Sequence, residues 1–306
     1  MYTLFLVNSL NLLKSWVRLL RLPFYSVALL PLWAGILIGV KEGYSISFNI
    51  IILGSIGVIF IITATHLLGE YFDLEADRLN KDFNIFSGGS RVLINDNVIK
   101  PELVFYAGMT SALFAIITGF ALYVIFRFST AILILGGIGL LSGVFYSSRP
   151  IQFSYKGWGE ILIGFCYGWL TLNTGFYLVT KHFSPVVTIY SLPIVFSIIA
   201  VIVINEFPDY ESDFKGGKKN LVVKLGKEKM SIVYLALLWA SVMSVFIFLS
   251  HFKKYIIIIE LMITGLTVVN SLLISKHRSK KHLQVLCGTT LLINLLYNLI
   301  LILNFL

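Results

Sequence analysis

Apolar residues run through this chain in long blocks, and the charged residues collect in the gaps between them. A helix needs roughly 20 mostly apolar residues to cross a hydrocarbon core. Nine blocks meet that length: 22–40, 49–68, 102–125, 128–147, 158–180, 185–206, 231–250, 255–275 and 283–305. The third and fourth are divided only by the turn around Arg127. The pattern predicts an all-α membrane protein, a bundle of about nine transmembrane helices forming a single domain over 1–306. The opening stretch, through Arg21, predicts an N-terminal amphipathic helix on the membrane surface that carries Lys14, Arg18 and Arg21. Its charges follow its apolar residues, the reverse of a secretory signal.

Composition agrees with the pattern. Of 306 residues, 58% are hydrophobic and only 13% charged, with mean hydropathy +0.89; soluble domains carry about 25% charged residues. Cys166 and Cys287 both fall inside apolar blocks, so no disulfide framework is indicated. Nine spans with a cytoplasmic N-terminus place all of the 24 basic residues on one side except Lys41, Arg127, Lys181, Lys253 and Lys254. That asymmetry predicts a multi-pass protein of the cytoplasmic membrane. The net charge of +9 is then a topology signal, and nucleic acid is not an expected partner; nor is an obligate protein partner.

The acids follow a different rule. Eleven of the 15 lie in two windows, 70–96 and 206–228, both on the side expected to be cytoplasmic. Each window opens with the same spacing directly after an apolar run: "EYFDLEAD" at Glu70–Asp77 and "EFPDYESD" at Glu206–Asp213. The two windows, at about 69–100 and 206–230, are expected to be functional loops. Helical spacing puts Glu70, Asp73 and Asp77 on one face, and likewise Glu206, Asp209 and Asp213, while Glu75 and Glu211 point to solvent.

Three like charges on one face repel one another and call for a cation. Mg2+ suits them, because it takes oxygen ligands and is commonly shared between carboxylates and phosphate. Basic and glycine-rich stretches follow both repeats: "RLNKDFNIFSGGSRVL" with Arg78, Lys81 and Arg91, and "FKGGKKNLVVKLG" with Lys215, Lys218 and Lys219. Arg91 and Lys218 are candidates for binding phosphate oxygens. Neither stretch matches a P-loop. A metal-bound diphosphate at the mouth of an apolar bundle points to a lipid-like substrate with its tail between helices. If that substrate is allylic, tyrosines near the same helix ends (Tyr71, Tyr146, Tyr155 and Tyr210) can shield the developing cation, although such tyrosines also serve as interfacial anchors. His66 reads as a buried, hydrogen-bonded histidine near Glu70.

With these motifs assembled, the chain resembles the UbiA superfamily of intramembrane prenyltransferases. "NEFPDYESDFKGGKKNLVVKLG" (205–226) resembles that family's second aspartate-rich motif. "YSSRPIQFSYKGWGEILIGFCYGWLTLNTGFYL" (146–178) and "SWVRLLRLPFYSVALLPLWAGILIG" resemble its 1,4-dihydroxy-2-naphthoate polyprenyltransferase branch. The resemblance implies nine transmembrane helices, an active site on the cytoplasmic side, and Mg2+-dependent transfer from a polyprenyl diphosphate to a small aromatic acceptor. It puts Asp73, Asp77, Asp209 and Asp213 on the metal-binding positions, helped by Glu70, and Asn205 and Lys218 on adjoining ones. Arg91 and Lys81 would assist on the diphosphate, and Tyr146 would lie near the cation or acceptor. The first motif departs from the family pattern, with Gly69 for an asparagine and Glu70 for an aspartate. Other acceptors (4-hydroxybenzoate, haem, chlorophyllide, a glycerol-phosphate lipid), a cation-coupled transporter and a binding protein without catalysis stay open as alternatives.

Overall fold

The computed structural model describes residues 2–96, 98–248 and 252–306, and the elements follow the block pattern closely. They are α1 (Tyr2–Leu20), α2 (Ser26–Lys41), α3 (Phe48–Phe72), α4 (Leu74–Leu79), α5 (Pro101–Val124), α6 (Thr130–Ser147), α7 (Gly159–Thr180), α8 (Pro185–Lys215), α9 (Leu221–Val245), α10 (Ile256–Leu273) and α11 (Lys280–Phe305). Among the described residues, nine helices are long and apolar enough to cross a membrane, the first of them counted from Asn11 to Lys41. The expected all-helical bundle of nine spans is therefore present.

Local chemistry sets the boundaries. Pro101 and Pro185 open α5 and α8, where no backbone donor is needed. Ser129 caps α6 by accepting from Ala131 N at 3.2 Å, and Asn220 caps α9 by accepting from Val223 N at 2.8 Å. Arg21 takes a left-handed conformation (φ 51°) that sets α1 off from α2. Leu19 is buried beside Trp16 against Leu67, Val92 and Leu93, which seats the end of α1 on the bundle.

Two features fix the packing around the site. A Cβ at Gly35 would lie 2.0 Å from Leu172 O, and one at Gly175 would lie 2.0 Å from Leu32 O, so α2 and α7 touch backbone to backbone. Helix α8 runs through the middle of the main core, with Phe207, Val222, Met230, Leu286 and Cys287 all buried there. Pro208 cannot donate to Ile204 O, four residues earlier, and the Cys287 thiol on α11 donates to that carbonyl instead at 3.6 Å. The helix continues through the proline to Lys215.

This revises the expected loop at 206–230. The second acidic stretch is the last two turns of α8, and only Gly216–Asn220 separates it from α9. The apolar run before it has a buried helix–helix environment that the charged tail shares, so the helix carries on past the apolar block. The segment after α4 is irregular as expected, with a single turn at Val92–Asn95.

Candidate active site

The two acidic repeats meet at one end of the bundle. They line a cavity of about 360 Å3 with Glu70, Asp73, Asp77, Asn205, Glu206, Asp209, Asp213 and Lys218 at its polar end. Its other walls are apolar, drawn from α3, α5, α6 and α7 and including Ile61, Leu122, Leu135 and Leu178. The cavity thus joins a highly charged mouth to a space fit for a hydrocarbon chain.

Each carboxylate is placed by a different partner. Glu70, at the end of α3, accepts from Ser90 N at 2.6 Å and Ser90 Oγ at 2.7 Å. Asp73 lies at the break between α3 and α4 and accepts from Ser147 Oγ at 2.7 Å and Tyr155 Oη at 2.9 Å. Asp209 accepts from Asn80 Nδ2 at 2.6 Å and Gly88 N at 3.2 Å. Asp213 accepts from Asn220 Nδ2 at 2.8 Å. The loop glycines permit this closeness: Gly88 and Gly89 have φ of 77° and 68°. A Cβ on Gly89 would lie 2.4 Å from Asp77 Oδ2 and 3.3 Å from Glu70 Oε1, so those two carboxylates flank the same point of the loop.

Lys218 serves this cluster directly. Lys218 Nζ lies 3.5 Å from Asp73 Oδ1 and 3.3 Å from Asp213 Oδ1, over the Tyr155 ring at 5.2 Å. Burial by itself would lower the Lys218 ammonium, but Asp73 and Asp213 carry it well above its ordinary value, so it is charged. Burial, followed by the charge of Asp73, pushes the Asp77 carboxyl up to about 8. Burial and Asp73 likewise raise the Tyr155 phenol, which stays a donor.

The expected residues divide into those the fold brings together and those it does not. Glu70, Asp73, Asp77, Tyr146, Asn205, Asp209, Asp213 and Lys218 all line the cavity. Arg91 lines a neighbouring cavity instead, where its guanidinium donates to Asp77 O and covers the Phe83 ring at 4.4 Å. Lys81 is exposed and lines neither. Arg21, expected on the membrane surface, lines both cavities and donates to Phe86 O at 3.2 Å. Glu75 and Glu211 are exposed, as their spacing predicts, and His66 donates from Nδ1 to Leu20 O at 2.9 Å, its ring edge-on to Phe24 and Tyr25.

The residues that hold the acids include four that the motifs do not point to: Asn80, Ser90, Ser147 and Asn220. No spacing rule links them to the motifs. The motifs also do not point to Glu160, which is fully buried at the start of α7. There a signal existed, because an acid inside an apolar block is unusual.

The donor set fits a divalent cation. Among the described residues no three His, Cys, Asp or Glu side chains form a ready-made metal shell. The polar end of the site offers carboxylate oxygens, and among the described residues no donor is hydrogen-bonded to the Asp77 side chain. Mg2+ keeps several waters and shares its shell with phosphate oxygens, which suits such a loose set of carboxylates. Asp73, Asp77, Asp209 and Asp213, with Glu70, are the residues that would hold it. Bound there, it would neutralise charge on a diphosphate.

Fold and site together define a polytopic membrane protein whose carboxylates cap a lipid-sized cavity. Residues 28–296 match the UbiA prenyltransferase family, and the chain belongs to that family. A 1,4-dihydroxy-2-naphthoate octaprenyltransferase of Bacillus subtilis is 27% identical over 66% of this chain; the match spans 59% of the Bacillus protein's length. A solved digeranylgeranylglyceryl phosphate synthase superposes with a TM-score of 0.66 at 22% identity, covering 96% of this chain and 98% of the other. A UbiA homologue from Archaeoglobus fulgidus, solved with GPP and Mg2+, gives 0.63 at 19% identity over 94% and 99% of the two chains. The superpositions bear out the fold, and the family match bears out the expected membership.

Proposed function

We propose that this protein transfers a polyprenyl group from an allylic diphosphate to a hydroxylated aromatic acceptor of the 1,4-dihydroxy-2-naphthoate type. The observation that carries the reading is the single cavity in which both acidic motifs and Lys218 meet at the polar end of an apolar space. The diphosphate lies at Asp73, Asp77, Asp209 and Asp213, with Mg2+ supplying charge neutralisation. The prenyl tail lies between α3, α5, α6 and α7. As the allylic C–O bond lengthens, negative charge builds on the diphosphate, and Lys218 is placed to stabilise it where water is scarce. Lys218 is held for that task by Asp73, Asp213 and the face of Tyr155. Tyr146, on the cavity wall, presents a ring to the cationic carbon. Resemblance to the Bacillus relative supports the naphthoate acceptor. The basic residues of the motif end support a cytoplasmic membrane location with the site facing the cytoplasm.

The test uses purified full-length protein with Mg2+, a radiolabelled prenyl diphosphate and a panel of acceptors. A prenylated naphthoate is expected, and Asp209→Ala should abolish it while the protein still folds. Product that is insensitive to Asp209→Ala, or no diphosphate release with any acceptor, would overturn the assignment.

A further inference from the structure

A second cavity, of about 830 Å3, lies beside the active site and shares Arg21, Phe24 and Gly89 with it as wall residues. Its lining is strongly cationic. Arg18, Arg21, Arg91, Lys227, Arg278 and Lys280 all contribute to it, with Asp82 the acid among the described residues that does so. Half of these cations are already matched: Arg18 pairs with Asp96 at 2.8 Å, Arg278 with Glu228 at 3.4 Å and Lys280 with Asp82 at 2.6 Å. Among the described residues Arg21, Arg91 and Lys227 make no ion pair. Arg21 and Arg91 instead lie over the Phe24 and Phe83 rings, at 4.7 and 4.4 Å, and Lys227 lies 5.2 Å from the Tyr210 ring. Like charges gathered around one space call for an anion.

The rim says which kind of anion. Val17, Leu22, Phe83 and Ile85 line the same cavity and are exposed, Ile85 by 73%. A free inorganic anion gains nothing from such a rim. An amphiphile does, because its charged head meets the cations while its chains lie along the apolar side chains. The segment through Arg21 is also the one whose pattern predicts a helix on the membrane surface, which puts this rim at the level of lipid headgroups.

The wall between the two cavities is a loop with two faces. Toward the active site, Asn80 and Gly88 donate to Asp209, and Ser90 donates to Glu70. Toward the second cavity, Ser90 O accepts from Arg18 at 3.1 Å, Phe86 O accepts from Arg21 at 3.2 Å, and Asp82 pairs with Lys280. An anion beside Arg21 and Lys227 offsets the repulsion among the unmatched cations and steadies the loop that holds Glu70 and Asp209.

We propose that the second cavity binds the phosphate headgroup of an anionic membrane phospholipid, and that the bound lipid braces the 80–91 loop against the active site. Arg21 and Lys227 supply the charge, and Leu22, Phe83 and Ile85 meet the acyl chains. The site is separate from the diphosphate end and holds whichever acceptor is prenylated.

The test places purified full-length protein in nanodiscs of phosphatidylcholine, or of an equal mixture of phosphatidylcholine and phosphatidylglycerol. Spin-labelled phosphatidylglycerol should be held in preference to spin-labelled phosphatidylcholine. That preference should fall roughly fivefold in Lys227→Gln, the worth of one cation at an anionic lipid surface, and should fall in Arg278→Gln as well. Lys229→Gln, exposed on the same helix but outside the cavity, should leave it unchanged. Hydrogen exchange at the Gly88 and Ser90 amides should slow in the mixed discs, and Lys227→Gln should remove the slowing. The site is overturned by a wild type with no lipid preference, by full preference in both Lys227→Gln and Arg278→Gln, or by an equal drop in Lys229→Gln. Slowing that survives Lys227→Gln overturns the brace. Slowing reproduced by inorganic diphosphate in phosphatidylcholine discs puts a free anion in the cavity and overturns the lipid assignment.

Discussion

Replacing Lys218 by methionine tests the electrostatic logic of the site most directly. The ammonium sits 3.5 Å from Asp73 and 3.3 Å from Asp213, and its side chain is only 12% exposed. At an effective dielectric constant near 20, each such pair attracts by about 5 kcal/mol before desolvation is counted. Desolvation offsets much of that, and losing one partner of a buried pair typically costs about 3–5 kcal/mol. Methionine keeps most of the volume, so the loss is mainly charge. Without divalent cation, Lys218→Met should therefore lose about 3 kcal/mol or more of stability at pH 8, where Asp77 is losing its proton. The loss should shrink as pH falls, because protonation removes the repulsion that the lysine had compensated. Thermal unfolding in detergent across pH 5–9 measures it. A loss that is absent at pH 8, or the same size at every pH, would refute the argument.

Three further outcomes follow from the geometry. Gly89→Val puts a side chain where Asp77 Oδ2 lies 2.4 Å from the new Cβ, at a φ of 68°; Mg2+-dependent prenyl-diphosphate binding should weaken at least tenfold, by about 1.4 kcal/mol, as read by calorimetry. Asp77 is raised from 3.8 to about 8, and a divalent cation binds the ionised form. Cation affinity should thus climb as pH rises toward 8, with proton release on binding; calorimetry in buffers of different ionisation enthalpy would show a flat profile if this is wrong. Gly175→Leu should abolish the folded protein, since a Cβ there meets Leu32 O at 2.0 Å, whereas Gly137→Ala, with nothing within 4 Å, should fold normally; size-exclusion profiles separate the two.

The sequence by itself determined the nine spans, because each apolar block has only one way to satisfy its backbone in lipid, as a helix. It also determined the pairing of the acidic repeats, since Glu70, Asp73 and Asp77 match Glu206, Asp209 and Asp213 position for position. Charge type alone could not say where the basic residues go: Arg91 turned to Asp77 O and Phe83, Lys81 went to solvent, and Arg21 came to the cavity. Those outcomes depend on left-handed turns at Arg21 and Arg91 and on loop glycines, which no periodic pattern records. The Ile204 carbonyl that Pro208 leaves free is met by a thiol 79 residues further on from the proline, at Cys287. The place of Glu160 was decided the same way, by the packing of α7 against α9, where its Oε1 accepts from Leu221 N. Helix formation in a membrane is a local requirement of each segment, so it is written locally. The partners of a buried polar atom are a requirement of the whole packed bundle, and only the tertiary structure supplies them.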